Sequence, residues 1–78
     1  MTKIEVLGTG CVKCKRLFAN TEQAIKELNI TVDLVKIEKL DEITDRGVMM
    51  TPALIINDEI VAEGRVPDVK EIKALLSE

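Results

Sequence analysis

Short runs of branched apolar residues alternate along this chain with longer amphipathic stretches. Ile4-Glu5-Val6-Leu7 is rich in branched side chains and predicts a strand. From Val12 to Leu28 the apolar side chains of Cys14, Leu17, Phe18, Ile25 and Leu28 recur at helical spacing, with Asn29 suited to a left-handed cap. Thr31 to Ile37 carries Val32, Leu34, Val35 and Ile37, which predicts a strand covered on both faces. Leu40 to Arg46 reads as a short helix ended by Gly47. Ala53-Leu54-Ile55-Ile56 and Glu59-Ile60-Val61-Ala62 flank Asn57-Asp58, the pattern of a hairpin. A last helix starts near Pro67 and shows Val69, Ile72, Leu75 and Leu76 on one face; Val66 caps poorly, so its N-cap stays unassigned. The order β-α-β-α-β-β-α predicts an α/β fold in which helices flank a four-stranded mixed sheet.

Length and charge narrow the function classes. The 78 residues are expected to form a single domain spanning 1–78, and a chain of this size buries roughly 60% of its unfolded surface. With 11 basic against 14 acidic residues, it lacks the basic face that nucleic acid requires. No apolar run approaches the ~20 residues of a membrane span. Met1-Thr2-Lys3 leads straight into a strand without a signal-peptide pattern, so a cytoplasmic location is expected. No linker, low-complexity tract or internal repeat interrupts the chain. The remaining Lys/Glu pattern on the helices, such as Lys70, Glu71 and Lys73, reads as solvated faces.

The two cysteines, Cys11 and Cys14, are the only ones in the chain, and they follow the first strand and a glycine turn. In a reducing compartment such a pair serves redox chemistry or metal binding more often than structure. The spacing sets one thiol at a helix start and the other one turn further in. Only the thiolate attacks a disulfide, so a reactive cysteine needs its pKa lowered from about 8.5. Unpaired N–H groups and the positive end of the helix dipole favour the anion at Cys11, and Lys13, Lys15 and Arg16 add positive charge. Cys11 is therefore expected to attack and Cys14, on the buried side, to resolve the mixed disulfide. The bland reading is two small apolar residues near a helix end.

Gly8-Thr9-Gly10-Cys11-Val12-Lys13-Cys14 after the first strand, Met50-Thr51-Pro52 before the third and Gly64 before the last helix together resemble the thioredoxin/glutaredoxin superfamily. In particular the chain is similar to the small thioredoxin-like redox-active disulfide proteins of bacteria and archaea. The likeness spans essentially the whole chain, although the Trp-Cys-Gly-Pro-Cys loop of ordinary thioredoxin and the Pro-Tyr pair of glutaredoxins are absent. It implies a minimal thioredoxin-like fold and a dithiol–disulfide oxidoreductase that reduces protein disulfides. Electrons would come from a thioredoxin-reductase-like flavoprotein, and a monomer without bound cofactor or metal is expected.

The resemblance also implies substrate-binding residues. It makes the Thr51–Pro52 bond cis, although Pro52 alone reads as a strand-start proline, and it gives the backbone of Thr51 to an extended substrate segment. Met49 and Met50 then line the site as adaptable apolar surface or, equally, pack into the core. Gly64 lets a substrate backbone approach or is a plain turn glycine. In ordinary thioredoxin a buried acid and a lysine resemble Glu5 and Lys36. Glu5 facing the interior behind Cys14 would accept that thiol's proton; the residues themselves favour a solvated Glu5 with Lys36 as its surface neighbour.

Two other classes compete. Heavy-metal-associated domains also carry Cys-x-x-Cys after a first strand, where two thiolates suit Cu(I), but their order is β-α-β-β-α-β and Met50-Thr51-Pro52 has no counterpart there. A non-catalytic thiol switch would use the same two cysteines to gate binding. With no histidine in the chain, a Cys-His nucleophile and a mixed Cys/His zinc site are excluded.

Overall fold

A computed structural model describes residues 2–77. The elements follow in the order β1 (Thr2–Leu7), α1 (Val12–Leu28), β2 (Val32–Ile37), α2 (Leu40–Asp45), β3 (Ala53–Ile56), β4 (Glu59–Glu63) and α3 (Val69–Ser77). This is the α/β order read from the hydrophobic pattern, with boundaries shifted by a residue or two. The four strands form one mixed sheet, β2-β1-β3-β4, in which β1 runs parallel to β2 and antiparallel to β3. It is a thioredoxin-like fold. The chain ends its described part in a helix, unlike the metal-carrier order.

Strand alternation divides the core in two. Ile4 and Val6 of β1, Leu54 and Ile56 of β3 and Ala62 of β4 face Leu17 and Ala24 of α1 and Ile72 of α3. Leu7, Ala53, Ile55 and Ile37 point the other way, toward Ile43 of α2 and Val48. β2 sends Val32 and Leu34 to the first core and Val35 and Ile37 to the second, as a strand covered on both faces should. Only Ile37 is buried, however, because β2 lies at the sheet edge.

The connections obey local rules. Asn57 and Asp58 both adopt positive φ, 51° and 68°, as a tight two-residue hairpin demands. Asn57 also accepts the Lys3 N–H on Oδ1 at 2.9 Å, tying the turn to β1. Asn29 closes α1 in the left-handed conformation. The unassigned cap of α3 is Asp68, whose Oδ1 accepts the Glu71 N–H at 2.8 Å; the signal was present as Asp68-x-x-Glu71, a capping-box spacing. Among the described residues no helix is long and apolar enough to cross a membrane.

One polar contact sits inside this packing. Glu5 is buried, at 3% exposure, on the face covered by α2, and Arg46 at the C-terminal end of α2 donates to its Oε2 through Nε. Arg46 also donates to the Glu42 carbonyl at 3.1 Å, so the guanidinium ties the helix end to the strand. A cleft of about 310 Å³, lined by Lys3, Glu5, Arg46, Ile55 and Asp58, opens beside the pair toward the hairpin end. Removing the cation leaves a buried carboxylate alone, which costs more than replacing both partners with apolar groups. In urea titrations, Arg46→Ala should therefore lose about 2–3 kcal/mol, while Glu5→Leu combined with Arg46→Leu should lose less; the reverse order would show that the pair is not holding α2.

Candidate active site

The sheet register gathers four connections at one end. Leu7 pairs with Ile37 on one side and Ala53 on the other, and Ala53 pairs with Glu63. Beyond these pairs the Gly8 N–H donates to the Ile37 carbonyl at 2.9 Å, and the Gly64 N–H donates to the Pro52 carbonyl at 2.8 Å. The cysteine loop, the β2–α2 connection, the segment before β3 and the exit from β4 thus share one edge of the molecule. The Thr51–Pro52 peptide bond is cis.

Cys11 is the N-cap of α1, in extended conformation at φ −70° and ψ 169°, and its sulfur accepts the Cys14 N–H at 3.3 Å. Gly10, at φ +93°, makes the turn into it. Cys14 lies one helical turn on and faces inward with Leu17, Thr21 and Ala24, at 3% exposure, whereas Cys11 is exposed. The two free thiol sulfurs are 2.7 Å apart. Gly8 makes this placement possible: a Cβ there would run into Cys14 Sγ and stand 2.7 Å from Cys14 Cβ.

The electrostatics of the two thiols diverge. Cys11 titrates below its ordinary value, chiefly because the Cys14 side chain hydrogen-bonds to its sulfur, with the Cys14 backbone N–H next. Cys14 is pushed up, first by burial and then by the neighbouring Cys11 sulfur. An exposed thiol with a lowered pKa beside a buried one with a raised pKa is the arrangement expected of an attacking and a resolving cysteine. Lys13 lowers Cys11 through its backbone N–H; its side chain is exposed, as are those of Lys15 and Arg16.

Residues 2–77 match the thioredoxin domain family. The chain belongs to that family. It is 40% identical over 77 residues to a thioredoxin of Methanothermobacter thermautotrophicus, a match covering 99% of this chain and 100% of that protein. It is 41% identical over 73 residues to a thioredoxin of Methanocaldococcus jannaschii, covering 94% of this chain and 84% of the other. As a thioredoxin-family protein the chain is a thiol–disulfide oxidoreductase.

The remaining expected residues divide. Thr51 is exposed and Pro52 buried at the start of β3. Met49 and Met50 are 92% and 62% exposed, so the reading that packs them into the core is wrong. They join Val12 and Leu40, which sequence reasoning missed; among the described residues these four are part of a set of six exposed large apolar side chains, so apolar exposure concentrates at the cysteine end. Gly64 has φ +73°, and a Cβ built on it would lie 3.2 Å from Met50 Cβ and Cε. Met50 thus occupies the space that a side chain at this position would need.

Glu5 and Lys36 are not neighbours. Glu5 is buried rather than solvated, but on the α2 face, with its carboxylate held by Arg46. Lys36 pairs in register with Val6, so it emerges on the α1 face, where its Nζ stands 5.3 Å from the centre of the Phe18 ring and 4.0 Å from Glu38 Oε2. Period-2 alternation separates them: Glu5 shares the parity of Leu7, and α1 covers the opposite parity. Among the described residues no three His, Cys, Asp or Glu side chains gather into a metal-binding group.

Since thiolate is the form that alkylates, the iodoacetamide rate of Cys11 should level off at a lower pH than that of an ordinary thiol, and that of Cys14 at a higher one. In Cys14→Ala the Cys11 inflection should rise, because its largest downward cause has gone; an unmoved inflection would place that cause elsewhere. Gly8→Ala should destabilise the protein by about 1–3 kcal/mol, the usual cost of overpacking, and lower the rate of Cys11–Cys14 disulfide formation by displacing the Cys14 sulfur. Unchanged rate and stability would show that the first turn of α1 yields freely.

Proposed function

We propose that this chain reduces disulfides in other proteins by cycling Cys11 and Cys14 between dithiol and disulfide. The observation that carries the reading is the exposed Cys11 sulfur with its lowered pKa, 2.7 Å from the buried Cys14 sulfur. The Cys11 thiolate attacks one sulfur of the substrate disulfide, forming a mixed disulfide and releasing the other as a thiolate that takes up a proton. Cys14 then loses its proton and attacks Cys11 Sγ; the Cys11–Cys14 disulfide forms and the second substrate thiolate leaves. Two electrons have passed to the substrate, and they are restored by a flavin-containing reductase of the thioredoxin-reductase type. No bound cofactor is needed, because the electrons reside in the cysteines.

Thr51 and Pro52 serve substrate binding in this reading. Thr51 is exposed where β3 begins, and its main chain offers hydrogen bonds to an extended segment beside the target disulfide, in the manner of strand addition. The apolar side chains of Met49 and Met50 shelter that segment, and Lys13 contributes to the poise of Cys11. The chain acts as one unit over residues 1–78, as a monomer in the cytoplasm, where a reductase keeps the pair reduced.

Cys11→Ser should abolish turnover of insulin disulfides, whereas Cys14→Ser should still attack and accumulate mixed disulfides visible by mass. A Cys14→Ser variant that cycles at the wild-type rate would overturn the two-cysteine mechanism. Redox titration with alkylation, and metal assayed in parallel, should give one two-electron transition; one soft metal ion retained per one or two chains would point to a metal carrier instead.

A further inference from the structure

The segment between α2 and β3 has no ladder of its own; it passes through turns and bends before Ala53. One carboxylate organises it. Glu63, the last residue of β4, accepts the Met49 N–H at 2.6 Å and the Met50 N–H at 3.1 Å on the same Oε2. The neighbouring Gly64 N–H donates to the Pro52 carbonyl at 2.8 Å, and the Met50 side chain lies over Gly64. Two consecutive residues at the end of β4 therefore grip the segment on both sides of Thr51. Because Glu63 pairs with Ala53 across the ladder, its carboxylate reaches back over the start of β3 to do so.

We propose that Glu63 is a positioning residue for the protein substrate. By accepting both amides it holds residues 49–52 in one conformation, with the Met49 and Met50 side chains turned outward and the Thr51 main chain presented to the incoming segment. Without that acceptor the segment samples many conformations, and binding must order it each time. Glu63 touches neither sulfur through these bonds, so its effect falls on recognition rather than on sulfur exchange. The inference rests on the reading that the substrates are protein disulfides. A small disulfide, too short to reach the segment, is indifferent to it.

The test uses the full chain as wild type and as Glu63→Ala, Glu63→Asp and Glu63→Gln. Reduced protein is mixed with rising insulin or with 2-hydroxyethyl disulfide, and Cys11–Cys14 formation is followed by quenching, alkylation and mass. Amide hydrogen exchange at Met49 and Met50 is read alongside. Glu63→Ala should raise half-saturating insulin roughly tenfold, the scale of one lost hydrogen bond to a charged group, with the maximal rate and the small-disulfide rate unchanged. Exchange at both amides should quicken. Glu63→Gln, which keeps an oxygen at the same reach, should restore most of the binding, and Glu63→Asp, which keeps the charge but withdraws the oxygen, should resemble Glu63→Ala. Equal losses on insulin and on the small disulfide would overturn the proposal, as would wild-type insulin kinetics in Glu63→Ala or a Glu63→Asp that behaves as wild type. A wild-type protein inert toward insulin would remove the reading on which the proposal rests, and so differs from a failure of the clamp alone.

Discussion

The site depends on how closely the first turn of α1 approaches the end of β1. Gly8 presents no side chain, and Cys14 occupies the space that a Cβ would take. That contact fixes which cysteine is buried. With Cys14 turned inward beside Leu17, helical geometry leaves Cys11 at the cap, in solvent, one turn away. The chemical asymmetry of the two thiols follows from the same contact. Burial disfavours the thiolate of Cys14, and a protonated Cys14 beside Cys11 stabilises the thiolate there. A small packing constraint between a glycine and a helix thus sets the electrostatics of the pair.

The two faces of the sheet do different work. The face under α1 and α3 holds the larger core and supports the cysteine helix; Asn20 of α1 even donates to the Pro67 carbonyl at 3.1 Å, at the entry to α3. The face under α2 carries the second core and the Glu5–Arg46 pair. The buried acid of this protein serves to anchor a short helix, whose own 6 residues are too few to be stable alone. At the cysteine end the loops leave Val12, Leu40, Met49 and Met50 exposed, a surface that a protein partner would cover and that water meets unfavourably until then. Glu63 links the edge strand to this surface, so the end of β4 has a part in recognition that its position in the strand pattern does not suggest.

Most of the architecture was legible in the residues because the signals are local. The helix of residues 12–28, its Asn29 cap, the Asn57-Asp58 hairpin and the start of α1 at the cysteines each depend on neighbours within about a turn. Asp68 is equally legible through its spacing from Glu71. The cysteine pair stood out by count and spacing. Parity along β1 put Glu5 with Leu7, but nothing local told which parity α1 would cover. Glu63 carries no local signal, because its bonds to Met49 and Met50 reach 14 and 13 positions back along the chain.

By itself, then, the sequence determined the order of elements, the spacing of the two thiols and their place at a helix start, since periodicity, turn residues and caps act over short separations. The tertiary structure alone decided that Glu5 belongs to Arg46 rather than to Cys14, that Lys36 stands on the other face, and that the methionines remain outside. Those outcomes rest on contacts between residues far apart in the chain, such as Arg46 against Glu5 across 41 positions. Such contacts exist only after the sheet register is set and each helix has taken a face, because burial and partner choice belong to the packed molecule and not to any segment of it.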